Sequence, residues 1–231
     1  MKKPPSGSYV SYLRDFVFGT EDGLVSTLGA LTGIAIGAGH HGMVLLTGLV
    51  VICVESISMA VGSYLSSRSR MESLKARIQY ELHEIRTDPE GERRELEEMY
   101  KERGFPPEER DIVIKRMMSN EELLLEEMMF RELGIGTESF ESPLKNATVM
   151  FFSYVVGGAI PLGCYFIWPI SDALFIAFGT TLAALFGLGA ISSRFSPRRW
   201  WQLGLSFLLV GGVAATIGYA VGHIMNQKLG L

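Results

Sequence analysis

The chain alternates between long apolar runs and one dense polar block. Five apolar stretches, at residues 15–39, 43–66, 147–168, 172–193 and 200–225, reach the roughly 20 residues that a bilayer-crossing helix needs. Turn chemistry separates them: Gly39-His40-His41-Gly42, then Trp168-Pro169, then Ser196-Pro197-Arg198-Arg199. The polar block, 67–141, is rich in Glu, Leu, Met, Arg and Lys, which are good helix formers. It breaks at Asp88-Pro89-Glu90-Gly91, at Gly104-Phe105-Pro106-Pro107 and at Gly134-Ile135-Gly136. Nothing between Tyr64 and Arg86 is Gly or Pro, so the second span should continue straight into the block as one helix. The pattern predicts an all-α membrane protein of five transmembrane helices, with a helical cytoplasmic domain inserted between the second and third. The divisions fall at 1–66, 67–143 and 144–231.

Charge sharpens the picture. Of the 46 charged residues in 231, 34 lie between Ser67 and Lys145, leaving 12 over the other 152 positions. A water-soluble surface cannot be made from flanks so poor in charge. Lys2, Lys3 and Arg14 precede the first span, Arg68, Arg70 and Lys75 follow the second, and Arg194, Arg198 and Arg199 join the fourth to the fifth. The positive-inside rule therefore puts the N-terminus and the insertion in the cytoplasm, and the C-terminus on the opposite side. Residues 1–18 lack the apolar core and small-residue site of a cleaved signal peptide. A net charge of −4 gives no reason to expect nucleic acid as a partner. Cys53 and Cys164, both in apolar runs, are expected to be buried packing residues with no disulfide framework. Gly29, Gly33 and Gly37, and likewise Gly218 and Gly222, stand four apart; such spacing suits close helix contact within one subunit or between two. Pro161 is expected to bend the third span.

Two carboxylates fall well inside the apolar runs: Asp22 in the first span and Glu55 in the second. A carboxylate in hydrocarbon is costly unless paired, hydrated or protonated, and no Lys or Arg lies in either span. Counting from Arg14 puts Asp22 roughly 12 Å deep, and counting back from Arg68 puts Met59 at about the same level. Glu55 lies one turn further outward, on the same face as Met59. Carboxylate oxygens beside a thioether suit a transition-metal dication better than Mg2+ or Ca2+. Burial favours the protonated acid, which is the physical basis for exchanging a proton against the metal.

The insertion holds a second set. Glu81 and Glu84 stand at i, i+3, Glu92 and Glu95 repeat the spacing, and Met128, Met129 and Glu132 follow on a later helix. Each alone reads most simply as a solvated or packing position; the conjunction with an intramembrane Asp/Met pair gives them weight. A ferritin-like di-iron centre needs Glu-x-x-His, which His83 does not complete, and the insertion looks short for a four-helix bundle. Gly-x-Ser-x-Gly, phosphate-loop and His-Glu-x-x-His patterns are absent, so no enzyme is indicated.

At Arg14-Asp15 through Asp22-Gly23-Leu24, Ser58-Met59 to Gly62-x-Tyr64-Leu65, the Glu-rich insertion, Met128-Met129-x-x-Glu132, and Gly157-Gly158-x-x-Pro161-Leu162, the sequence resembles the vacuolar iron transporter family, over essentially its whole length. The resemblance implies a homodimer of five-span subunits in a cell membrane or vacuolar-type membrane. It implies export of Fe2+ from the cytoplasm in exchange for protons, with Mn2+, Co2+ and Zn2+ as further candidate ions and no prosthetic group. Asp22 and Met59 would be the membrane transport site. Glu81, Glu84, Glu92, Glu95, Met128, Met129 and Glu132 would be the ligands of the cytoplasmic domain. One position departs: the family often carries a Glu two turns before the Met of the second span, where this chain has Val51, and Glu55 stands one turn before Met59 instead. The alternative is a metal-responsive sensor or scaffold that binds dications without translocating them.

Overall fold

Where the sequence lacks Gly and Pro the chain stays helical, and where it has them in pairs it turns. The computed structural model describes residues 7–37, 40–131 and 142–229, and among these there is no strand. The helices are α1 (Gly7–Gly37), α2 (His41–Thr87), α3 (Pro89–Glu102), α4 (Pro107–Met118), α5 (Glu121–Arg131), α6 (Pro143–Ile167), α7 (Ile170–Ser192, followed by a short 3-10 turn) and α8 (Trp200–Leu229). α2 is 47 residues long and unbroken, as the run from Tyr64 to Arg86 predicts. The chain divides into two compact units: Tyr9–Ser66 with Ser142–Leu231, and Met1–Ser8 with Ser67–Glu141.

In the first unit five helices share one core. Leu28 and Leu31 of α1, Val44 and Ile52 of α2, Leu162 and Tyr165 of α6, Ala173 and Ala177 of α7 and Ala215 of α8 are all buried in it. Glycine allows the closest approaches. A Cβ on Gly157 of α6 would sit 3.1 Å from the Leu24 nitrogen of α1, and one on Gly33 would sit 3.2 Å from the Gly218 carbonyl oxygen of α8. The two glycine ladders at four-residue spacing thus meet each other inside one chain. Asn226 of α8 completes that contact by donating to the Ile36 carbonyl at 3.1 Å, which satisfies an orphan acceptor at the end of α1. α6 continues through Pro161 as one helix.

The outside of this unit is apolar. Leu46, Val50, Val54, Ile57, Val61 and Leu65 along α2, and Phe152, Val156 and Phe166 along α6, are exposed. Four helices, α2, α6, α7 and α8, are long and apolar enough to cross a membrane. α1 has the length, at 31 residues, but carries Arg14, Asp15, Glu21 and Asp22 in its first half. Cys53 corrects the expectation of two buried thiols: it is exposed, whereas Cys164 is buried. It lies on the outward apolar surface of α2, beside exposed Val54.

The inserted unit is built on Ile85 of α2, Leu96 and Tyr100 of α3, Ile114 of α4 and Leu124 and Met128 of α5. Asp88 caps α3, its Oδ1 accepting from the Gly91 amide at 2.9 Å, with Pro89 at the first helical position. Gly104, at φ 81°, takes the left-handed conformation that closes α3 before Pro107 opens α4. The turn between α4 and α5, at Ser119-Asn120, is one that the Gly/Pro pattern does not reveal. Asn120 Oδ1 accepts from the Glu122 amide at 2.9 Å, so the signal was an Asn cap followed by Glu121-Glu122. Among the described residues the insertion supplies four helical segments, the end of α2 with α3, α4 and α5, the last three of 11 to 14 residues. The Gly134-Ile135-Gly136 break lies outside the described residues.

Candidate ion-binding sites

Two contacts fix the register of α1 against α2. Ser63 Oγ donates to Asp15 Oδ2 at 2.8 Å, and a Cβ on Gly48 would lie 2.9 Å from Leu31 Cδ2. The helices are therefore antiparallel, and interpolation sets Asp22 opposite Ser56 and Ile57. That is about 2 Å along the axis from Glu55 and about 4 Å from Met59. Asp22 thus lies between the two, nearer Glu55, rather than level with Met59. The counting from charged ends differs because Arg14 and Arg68 are not at equal depth: Asp15 pairs five residues inside Arg68. Asp22 and Glu55 interact electrostatically. Asp22 and Met59 are half-buried, and Glu55 is exposed.

Around this pair stand side chains that the sequence did not single out. Ser26 Oγ donates to the Asp22 carbonyl oxygen at 2.7 Å and lies 2.5 Å from the Tyr154 hydroxyl of α6. Tyr154 is fully buried and feels the charge of both carboxylates. Two turns before Asp22 on α1, Asp15 is buried at 2% exposure. It is held by Ser63 and by Arg14, whose Nη2 lies 3.1 Å from Oδ1. Asn146 of α6 donates to Ser11 Oγ at 2.8 Å one turn further along. The signal for Asp15 was its seven-residue spacing from Asp22, which puts both on one helix face. Hydroxyls such as Ser26 and Tyr154 give none, being common in apolar helices.

In the inserted unit each i, i+3 glutamate pair splits. Glu81 and Glu92 are buried, at 2% and 5% exposure, while Glu84 is half-buried and Glu95 exposed. The reason is register: Glu81 is one turn before buried Ile85, and Glu92 one turn before buried Leu96. Met128 is wholly buried and Met129 partly so; Glu132 lies outside the described residues. α5 is tied to its neighbours on both sides of this set. The Tyr100 hydroxyl donates to Glu127 Oε1 at 2.8 Å, and Arg86 Nε donates to Glu121 Oε1 at 3.0 Å. Burial, aided by the Glu127 carboxylate, pushes the Tyr100 phenol up to about 12. The hydrogen bond from Arg86 holds the Glu121 carboxyl below the usual carboxylate range. Among the described residues no three His, Cys, Asp or Glu side chains converge as a ready-made metal site. Carboxylate and thioether are each donor types that first-row dications accept.

Long apolar helices around one core and an apolar outer surface, with a half-buried Asp22 on α1 and an exposed Glu55 on α2, define a polytopic helical membrane protein. The VIT family model matches residues 13–223, and the chain belongs to that family. It is 30% identical over 216 residues to vacuolar iron transporter 2 of Oryza sativa subsp. japonica, covering 93% of this chain and 88% of the relative. Vacuolar iron transporter 1 of the same species is 29% identical over 217 residues, covering 94% and 86%. The vacuolar iron transporter of Toxoplasma gondii is 27% identical over 229 residues, covering 95% and 76%.

Proposed function

We propose that the chain is an iron transporter, not an enzyme, and that it exports Fe2+ from the cytoplasm in exchange for protons. The observation that carries this reading is the nearness of Asp22 and Glu55 across antiparallel α1 and α2 of the apolar unit, with Met59 one turn from Glu55. A dication between two carboxylates satisfies both charges, and two protons can do the same when the ion leaves. The thioether of Met59 favours Fe2+, Mn2+, Co2+ or Zn2+ over harder ions. The relatives' names, all iron transporters, support iron as the cargo.

α1 is the fifth membrane span in this reading, because it packs in the same core as the four apolar helices. The N-terminus and the inserted unit face the cytoplasm, the C-terminus the other side of a vacuolar-type or cell membrane. Glu81, Glu84, Glu92, Glu95, Met128, Met129 and Glu132 gather ions there. The working form is a homodimer. Glu55 is exposed on a single chain, midway along the apolar first part of α2; a carboxylate left in lipid is costly, and a second subunit would cover it. Uptake of Fe2+ by proteoliposomes, compared between wild type and Asp22→Ala, tests the reading. Loss of at least tenfold in initial rate is expected; equal rates would remove Asp22 from the path, and no uptake by wild type would leave only metal binding without translocation.

A further inference from the structure

Tyr154 holds a place that its burial alone does not explain. Ser26 Oγ has one proton, and it is committed to the Asp22 carbonyl at 2.7 Å. The Tyr154 hydroxyl, 2.5 Å from the same oxygen, is therefore the donor between them. The result is a directed chain from α6 to α1: Tyr154 to Ser26, and Ser26 to the backbone of Asp22. Ser26 stands one turn after Asp22, on the same face.

Beside this chain the two helices touch through glycine. A Cβ on Gly23 would lie 2.9 Å from the Gly158 nitrogen, and one on Gly157 would lie 3.1 Å from the Leu24 nitrogen. Glycine contact sets how near two helices come but offers no polar group to fix the angle at which Asp22 leaves α1. A hydrogen bond one turn from Asp22 supplies what the glycines lack. It fixes the rotation of α1, and so the direction in which the Asp22 carboxylate leaves the helix toward Glu55. A displacement of about 1 Å is enough to loosen a metal site.

We propose that Tyr154 is a positioning residue of the ion path, which acts through Ser26 to present Asp22 to the cation opposite Glu55. This rests on the transporter reading and adds to it a residue that need not touch the ion. Phe at 154 keeps the buried ring and removes only the donor, so packing is retained. Initial Fe2+ uptake against Fe2+ concentration is to be measured in proteoliposomes for wild type, Tyr154→Phe, Ser26→Ala and the double variant. Each single change should raise the half-saturating concentration about fivefold, the scale of one weakened hydrogen bond, with the maximal rate within about twofold. The double variant should be no worse than either single, because one chain is cut at either link. A fall in maximal rate with half-saturation unchanged, or effects that multiply in the double variant, overturns the proposal. Mn2+ titration of the same full-length proteins in detergent reads positioning without transport, using the binding component that Asp22→Ala removes. That component should weaken about fivefold in each variant, and unchanged affinity overturns the proposal even where wild type carries no iron. Absence of wild-type uptake alone would instead overturn the transporter reading.

Discussion

At the scale of single residues, what decides function is which carboxylates the fold takes out of water. Glu81 and Glu92 are buried while their i+3 partners are not, so the metal affinity of the inserted unit should rest on the buried members. Glu81→Gln combined with Glu92→Gln keeps the packing and removes two negative charges. Calorimetric titration of full-length protein with Mn2+, on an Asp22→Ala background, should register at least about a tenfold loss of affinity. Unchanged affinity would make these two glutamates structural. Tyr100 gives a pH prediction with a definite sign. Its folded value of about 12 lies above the ordinary 10.0, so the stability it contributes is fully present below pH 10 and is lost as pH rises through 12. Tyr100→Phe should flatten that alkaline limb in thermal melts and lower stability at neutral pH by about 1.5–3 kcal/mol, the worth of a hydrogen bond to a carboxylate. An unchanged limb would detach Tyr100 from it. The residues legible in the sequence were those whose chemistry contradicts their surroundings. Asp22 and Glu55 stand out because a charge in an apolar run is rare. Ser26 and Tyr154 do not, because a hydroxyl there is ordinary and its meaning comes only from what it faces.

At the scale of elements, punctuation was readable and pairing was not. Asp88-Pro89 and Gly104 to Pro107 end and start helices by local geometry alone, and the 47-residue α2 follows from their absence. The Ser119-Asn120 turn has neither Gly nor Pro and depends on an Asn cap, a weaker signal. The ladder Gly29, Gly33, Gly37 announces close contact through its spacing, but spacing carries no address. That α8 is the partner comes from the fold of the whole unit. Register was lost for the same reason: the Ser63–Asp15 bond offsets α1 from α2 by an amount that no count from charged ends contains. The glycines themselves are testable. Ala at Gly23 or Gly157 would press a methyl onto the backbone of the facing helix, at the Tyr154 and Thr20 carbonyl oxygens respectively, which cannot move aside as a side chain can. Both variants should lower the melting temperature in detergent by several degrees and reduce yield. Gly179→Ala, with nothing within 4 Å, should be neutral or stabilising by about 0.5–1 kcal/mol through helix propensity. Equal behaviour of all three would remove the close-packing account.

At the scale of the whole molecule, the charge distribution and the fold describe a division of labour. One unit carries few charges away from its helix ends, chiefly Asp15, Glu21 and Asp22 of α1 and Glu55 of α2, and the other holds most of the acidic residues in the chain. An acidic collector and an apolar conduit with two carboxylates are parts that an antiporter requires. A protein that only sensed metal would have no use for carboxylates at Asp22 and Glu55 along its apolar helices. The central claim is therefore exchange of Fe2+ against protons through Asp22. Its most direct test is simultaneous recording of luminal Fe2+ and luminal pH in proteoliposomes, with the lumen preset acidic and Fe2+ added outside. Wild type should take up Fe2+ while the lumen turns alkaline, faster with a steeper pH gradient, and Asp22→Ala should abolish both signals. Fe2+ uptake that leaves luminal pH unchanged and ignores the gradient would contradict the account, as would full activity in Asp22→Ala.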